Sequence, residues 1–433
     1  MHVIRRILIL ALLVWAGIAT TFAFDTPEYT IVKETKGSKA TALVVHYQSI
    51  NADCTGSETL SGLITIPNSG QAVAMVLDNH YTMTKNSDVP SMAGSVSSAT
   101  LFESSMVVVA PDYLGYGCTV AKGHPYLCHH QNAVSSIDLC LVARDIVMRR
   151  GVSLELDALF NFGYSQGGGV AMAVHREMEL DKELAHYLHF VKSYCGAGPY
   201  DLAATLEASL SQDELNQPCL LPLVVKGVVT GFPQCFAEGR TFADFFRPEL
   251  IKAGLEKWID DKKLSSTEIS NRMLKVTNDN HSARAFLNES FNDEQSTLMQ
   301  ELLAVADADL LLDGWKPSFP IKLYHQPTDE LVPFVNTKKA IAALGLKESE
   351  QVVTSVGLSH SDYGTIYYLL AYQDMQSQLE KLRKSNDDYY LDVPALTDDN
   401  VDAPLLDLQG RPVGPGFHGI AIRGHQKVWI DAR

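Results

Sequence analysis

Short apolar runs recur along the chain at Ala72 to Leu77, Met106 to Ala110, Ala158 to Phe162, Phe190 to Tyr194, Ile321 to Tyr324 and Gln351 to Ser355. Most are separated by segments whose apolar residues fall at helical spacing. Alternation of this kind predicts an α/β fold with a mostly parallel sheet, covered by helices on both faces. Ahead of them, Thr41 to Ser49 and Gly62 to Ile66 alternate or run apolar, and Pro67-Asn68-Ser69-Gly70 supplies the turn that ends them, so an opening hairpin is expected. Ala133 to Arg150 carries Ile137, Leu141, Ala143 and Val147 at helical spacing and is expected to cover the sheet. His360 to Lys384 reads as a second long helix, with Tyr367, Leu370 and Tyr372 on its apolar part and Lys381, Arg383 and Lys384 at the end its dipole favours.

The pattern changes between Tyr200 and Trp315, where helical segments follow one another without a strand-like run. The organisation expected is therefore a sheet domain in two parts, 24–199 and 316–385, interrupted by a helical cap at 200–315 and followed by a linker and short β tail at 386–433. Within the cap, Leu220 to Phe232 is apolar enough either to face a greasy pocket or to pack on the sheet domain. In the tail, Asp387 to Asp402 is acidic and interrupted by Pro394, as in an exposed linker. Leu405 to Val413 and Gly419 to Val428 then read as strands joined by turns. These last segments resemble the end of the sorting tails of Por-type secretion, D-x-x-G-R-x-V followed by G-I-Y-I and K-V, with Ala421 where the pattern has an aromatic. A packed C-terminal hairpin is the alternative.

With 433 residues, 46% hydrophobic and 20% charged, the chain can bury a large core. A formal net charge of −16 argues against a nucleic-acid partner or an anionic membrane surface, since both require clustered Lys and Arg. Arg5-Arg6, the apolar run Ile7 to Ile18 and the small residues around Ala23 read as a signal peptide over 1–23. The apolar run is shorter than the roughly 20 residues that span a bilayer, so no stable membrane anchor is expected. An exported chain with seven cysteines suggests disulfides, with Cys118 and Cys128 the first candidate pair and Cys219 and Cys235 the second. Cys140 and Cys195 read as buried apolar residues.

The chemistry centres on Asn161-Phe162-Gly163-Tyr164-Ser165-Gln166-Gly167-Gly168-Gly169, which sets a serine between glycines after a strand-like run and before a helix-like one. A serine hydroxyl attacks well when a sharp strand-to-helix turn exposes its oxygen beside a base, and the glycines leave room for that turn. Such a serine needs a histidine to take its proton and a carboxylate to orient the histidine, in the chain order serine, acid, histidine. Asp329 follows the strand-like Ile321 to Tyr324 and is the expected acid, with Glu330 its rival. His360 follows the last strand-like run and is the expected base. His325 lies too near the acid's own strand to serve. His80, His124 and His175 precede the acid and are expected on the oxyanion loop, the pocket edge or a helix surface. For the oxyanion, Gln166 offers one backbone N–H, and Tyr81 or Thr82, after the strand-like run ending at Leu77, offers the other.

These pieces together resemble the secretory lipase group of α/β-hydrolases, on Ala110-Pro111-Asp112-Tyr113-Leu114-Gly115-Tyr116-Gly117, the turn at Ser165, the acid turn ending Val332-Pro333, and His360. The resemblance spans roughly Leu43 to Leu382. It implies hydrolysis of carboxylic esters, including acyl esters of glycerol, with a small-molecule ester as substrate and no cofactor; Cys128-His129-His130 is followed by no second ligand pair at zinc spacing, so no metal is expected either. Asp112 is expected as a capped turn residue beside the site. The same triad could instead cleave peptides near a terminus, which would need a charged group such as Glu207, Asp213, Glu214 or Arg240 to hold the chain end. A binding module on the same fold is a third reading, against which an intact triad weighs.

Overall fold

The structure, a computed structural model, describes residues 24–96, 98–212, 214–293, 295–354, 357–391, 405–406, 418–423 and 426–431. The expected leader over 1–23 lies outside the described residues. Two compact units are distinguished, Met1–Met375 and Gln376–Arg433.

A nine-stranded sheet organises the first unit. Its strands are β1 Tyr29–Lys36, β2 Ala40–Ile50, β3 Ser57–Pro67, β4 Met75–Asn79, β5 Val107–Pro111, β6 Leu159–Tyr164, β7 Phe190–Gly196, β8 Ile321–Tyr324 and β9 Val352–Val353, in the spatial order β1-β2-β3-β5-β4-β6-β7-β8-β9. The first three strands and the β3–β5 pair are antiparallel, and all later pairs are parallel. Burial follows position in the sheet. Along β2, Leu43, Val45 and Tyr47 are buried while their neighbours are half-exposed, whereas β4, β5 and β6 are buried at every residue. The alternating strand has one covered face and the continuous ones have two.

Helices flank the sheet. They include α1 His129–Arg149, α2 Gln166–Leu180, α3 Leu202–Ser211, α4 Leu220–Gly231, α5 Ser266–Val276, α6 Thr297–Ala308, α7 Val335–Leu344 and α8 His360–Leu391. Strand β6 shows how both faces are covered. Its Asn161 donates to the Ala171 carbonyl of α2, while the next residue, Phe162, packs edge-on against Phe102, which in turn meets Tyr372 of α8. Successive side chains of a strand point to opposite faces, so α2 and α8 lie on opposite sides of the sheet.

From β7 to β8 the described chain is helical apart from a single bridge between Phe246 and Leu287, and it builds an apolar core of its own. That core takes in Phe242, Phe245, Phe246, Ile269, Phe286 and Val305, and the sheet domain contributes Tyr126 and Leu127 to it. Beyond Met375, the described tail strands β10 Leu405–Leu406, β11 His418–Arg423 and β12 Gln426–Asp431 form an antiparallel three-stranded sheet.

Two expectations are corrected. All seven cysteines are free. Cys118 is exposed with its thiol toward the Thr59 carbonyl, whereas Cys128 is buried with its thiol toward the Gly227 carbonyl, so the ends of that loop face different surroundings. Cys219 is buried beside Ser270, and the Cys235 thiol points to the Ala304 carbonyl. The second correction is His175, which is no surface residue. It is fully buried, with Nδ1 3.0 Å from Ser193 Oγ and Nε2 3.4 Å from Glu179.

Candidate active site

Ser165 sits at the junction of β6 and α2 with φ 58° and ψ −124°, a left-handed conformation that non-glycine residues rarely adopt. Backbone contacts enforce it. The Ser165 N–H donates to the Gly196 carbonyl at 2.9 Å, and the Ser165 carbonyl accepts from Gly168 at 2.8 Å. A Cβ on Gly163 would stand 1.9 Å from the Gly167 carbonyl oxygen, and one on Gly167 would stand 2.0 Å from that of Asn79. Neither approach tolerates a side chain, so the glycines of the motif let the nucleophile turn close against the end of β4. Gln166 is the first residue of α2, and its N–H is among those a helix start leaves without an intrahelical acceptor.

Opposite this turn, Asp329 Oδ2 lies 2.6 Å from His360 Nδ1. Both are buried. The loop after β8 presents the carboxylate, and its other oxygen accepts the N–H groups of Leu331 and Val332 at 2.9 and 2.8 Å. His325 Nε2 approaches the same carboxylate at 3.4 Å and the Val332 carbonyl at 3.0 Å, while its Nδ1 meets Thr337. Burial alone would raise the Asp329 pKa. The hydrogen bonds offered by His325 and His360 outweigh it and hold the carboxyl well below the usual carboxylate range. An ionised acceptor is what fixes the tautomer of a neighbouring imidazole.

On the third side lies the loop after β4. His80 Nδ1 is 2.7 Å from the Tyr81 carbonyl, and its Nε2 is 3.3 Å from that of Asp112. In a trans peptide the N–H points opposite to the C=O, so the bond at the Tyr81 carbonyl turns the Thr82 N–H away from the His80 ring. Thr82 Oγ1 and Tyr126 OH meet at 2.7 Å. Asp112 is fully buried and accepts from Ser61, the Ser91 N–H and the Ser91 hydroxyl, so its carboxylate ties the end of β5 to β3 and to Ser91 rather than capping its own turn, and burial raises its pKa. His124 donates from Nδ1 to the Leu114 carbonyl at 2.7 Å, which leaves Nε2 to accept from the Gln166 side chain at 2.8 Å. Burial pushes its pKa down to about 3, so it stays neutral.

Ser165, His360, Gln166, Tyr81 and Thr82 all line one cavity of about 610 Å³ between the sheet domain and the helical insertion. One wall is apolar, with Leu206, Leu215, Leu220, Leu221 and Val224 from the insertion. Helix α4 faces the cavity through Leu220, Leu221 and Val224, while Val225 and Val228 are buried in the insertion's own core. Of the rival acids, Glu330 also lines the cavity, but its two carboxylate oxygens accept the backbone N–H of His360 at 3.0 Å each. That arrangement, and the support His325 gives Asp329, had no signature in sequence beyond proximity to the acid.

Residues 89–354 match the model of the family described as secretory lipase. No curated protein matches the chain. Among solved structures, a Legionella pneumophila protein described as a hydrolase is similar with a TM-score of 0.66 at 17% identity, over 86% of this chain and 99% of that one. The rice cell wall degrading esterase LipA of Xanthomonas oryzae, in a ligand-bound form, is similar with a TM-score of 0.60 at 24% identity, over 79% and 94%. Candida antarctica lipase A in its closed state is similar with a TM-score of 0.54 at 13% identity, over 76% and 77%. These three share the fold, and the family match covers more than half of the sequence, so the chain belongs to the secretory lipase family and is a carboxylic ester hydrolase of the α/β-hydrolase type.

Proposed function

We propose that this chain is an exported serine esterase that acts through Ser165, His360 and Asp329. The observation that carries the reading is the 2.6 Å contact of Asp329 with His360 at the wall of the cavity that Ser165 enters from its strained turn. Ser165 Oγ attacks the ester carbonyl carbon and passes its proton to His360 Nε2, while Asp329 holds Nδ1–H. The oxyanion accepts from the N–H of Gln166 and of Thr82, whose peptide the His80 bond orients. Collapse expels the alcohol, which takes the proton from His360 and leaves an acyl-enzyme. Water then attacks the acyl carbon as it gives a proton to His360 Nε2, and collapse breaks the bond to Ser165 Oγ, which takes that proton back as the acid leaves. Leu220, Leu221 and Val224 suit this wall of the cavity to an acyl chain.

Of the charged groups considered for an exopeptidase, Glu207, Glu214 and Arg240 are not among the described cavity-lining residues, and Asp213 lies outside the described residues. Arg240 is held by Glu301 at 2.7 and 3.0 Å, and Glu330, the carboxylate among the described cavity-lining residues, accepts from His360. p-Nitrophenyl esters from acetyl to palmitoyl, run beside aminoacyl nitroanilides, test the reading. Ester turnover is expected, and it is lost in Ser165→Ala with the melting curve nearly unchanged; a fully active variant would sink the serine mechanism. Export with removal of residues 1–23 is checked by sequencing the N-terminus of the mature protein, which is expected to begin after Ala23. A tail deletion that leaves export intact would exclude sorting through β11 and β12.

A further inference from the structure

We propose that Glu330 and Tyr164 are positioning residues that clamp the backbone of His360, an inference that rests on the serine-esterase reading. His360 is the first residue of α8, so its N–H has no acceptor inside the helix. Glu330 supplies one, with both carboxylate oxygens 3.0 Å from that nitrogen. On the other side of the same residue, the Tyr164 hydroxyl donates to the His360 carbonyl at 2.6 Å, and the two rings lie 4.9 Å apart.

The clamp is built from the neighbours of the other two reacting residues. Glu330 follows Asp329, and Tyr164 precedes Ser165. The loop that brings the carboxylate to Nδ1 therefore also holds the main chain of the ring it orients. Likewise the strand that ends at the nucleophile holds the main chain of its base. A shift of His360 along α8 would break a bond to each. Tyr164 is itself fixed, because α8 packs Gly364 against its ring, where a Cβ would come within 2.9 Å. Glu330 is a carboxylate at a helix N-terminus, which the helix dipole favours.

The test measures kcat and KM on a p-nitrophenyl ester for Glu330→Ala, Glu330→Gln and Tyr164→Phe, with Ser165→Ala alongside. Misplacing a reacting group by an ångström costs about a hundredfold, so Glu330→Ala should lose about ten- to a hundredfold in kcat, with KM within about twofold of the parent. Tyr164→Phe keeps the ring and loses the hydroxyl, and should lose kcat in the same sense. Glu330→Gln keeps an acceptor for the His360 N–H and should recover most of what alanine loses. The far-downfield proton resonance of the His360–Asp329 hydrogen bond should broaden in Glu330→Ala and sharpen again in Glu330→Gln. The clamp is overturned by unchanged kcat in both Glu330→Ala and Tyr164→Phe, by a loss confined to KM, or by Glu330→Gln as slow as Glu330→Ala. Should the alanine variant not fold, the glutamine and phenylalanine variants decide by the same kcat criteria. Turnover surviving in Ser165→Ala would instead reject the serine mechanism, a separate result.

Discussion

The two sides of the cleft that carries the proposed triad, here named for the proposed nucleophile Ser165 and the proposed base His360, are held by different forces. On the nucleophile side, Ser165 is fixed by peptide groups alone: its N–H on Gly196, its carbonyl on Gly168, and glycines at 163 and 167 pressed against neighbouring carbonyls. On the base side, the backbone of α8 starts at His360 with little steric compulsion, and side chains do the holding, through Asp329, Glu330, Tyr164 and, behind Asp329, His325. The difference teaches that one side is fixed by main-chain groups, those of its own turn and those of Gly196 and Asn79 on adjoining strands. The other is assembled from residues 30 to 196 positions apart.

The contrast can be broken first where a single side chain matters most. Asp329→Asn replaces an acceptor-only carboxylate with an amide that can present the wrong partner to His360, and kcat should fall by about 10⁴-fold with the fold intact. Steady-state kinetics and a melting curve together check this. A drop below tenfold would show that Glu330 or another group orients the ring. On the nucleophile side, Gly167→Ala forces a methyl to within 2.0 Å of the Asn79 carbonyl oxygen. It should push the Tyr81–Thr82 loop away and cost about a hundred- to a thousandfold, the range for one lost oxyanion donor. Here the melting temperature should fall as well, because backbone has to move. Equal melting curves for Gly167→Ala and the parent would contradict a sterically fixed nucleophile.

Acid should weaken the base side through Asp329 and the far end of α2 through Glu179, and leave the nucleophile turn untouched. Asp329 and Glu179 both have folded-state pKa values depressed below the unfolded ones, despite burial, by partners that include His325 and His360 for the first and His175, Lys182 and the Phe319 N–H for the second. Their contribution to stability is therefore complete above the unfolded values of about 4 and declines as pH falls through that point toward the folded values. Urea midpoints measured from pH 7 down to pH 3 should be steady at first and drop below about pH 4. The nucleophile turn, built from peptide groups, adds nothing to this slope. The smallest effect is expected where neither side is touched: Val224→Phe narrows the apolar wall of the cavity and should shift preference toward shorter acyl chains by about tenfold, with kcat on the best substrate nearly unchanged. A profile identical to the parent would place the acyl chain elsewhere.

Much of the sheet was legible because its central strands are buried on both faces and show as apolar runs. Strand β1 was not. In its sequence, Tyr-Thr-Ile-Val-Lys-Glu-Thr-Lys, only Tyr29 and Ile31 pack on the core, and backbone pairing to β2 holds the exposed remainder at the sheet edge, which leaves too short a hydrophobic period to read. The cysteines misled for the opposite reason. Spacing along a loop says nothing of direction, and Cys118 turns to solvent while Cys128 turns into the interior. His175 likewise sits on the helix face that meets Ser193, a choice made by the neighbouring strand.

Local chemistry and hydrophobic period were enough to mark the α/β class and to single out a serine turn, a candidate acid and base in the required order, and a run of helices, since each depends on residues close in the chain. What needed the folded chain was everything carried by long-range side-chain contact. Glu330 could be separated from Asp329 only once one carboxylate was seen on the imidazole and the other on the backbone N–H of the same histidine. His325, set aside for its position, proved to support the acid. The physical reason is that a strained turn is encoded by the sizes of adjacent residues, whereas a hydrogen bond across the cleft is encoded by nothing until the sheet has brought its partners together.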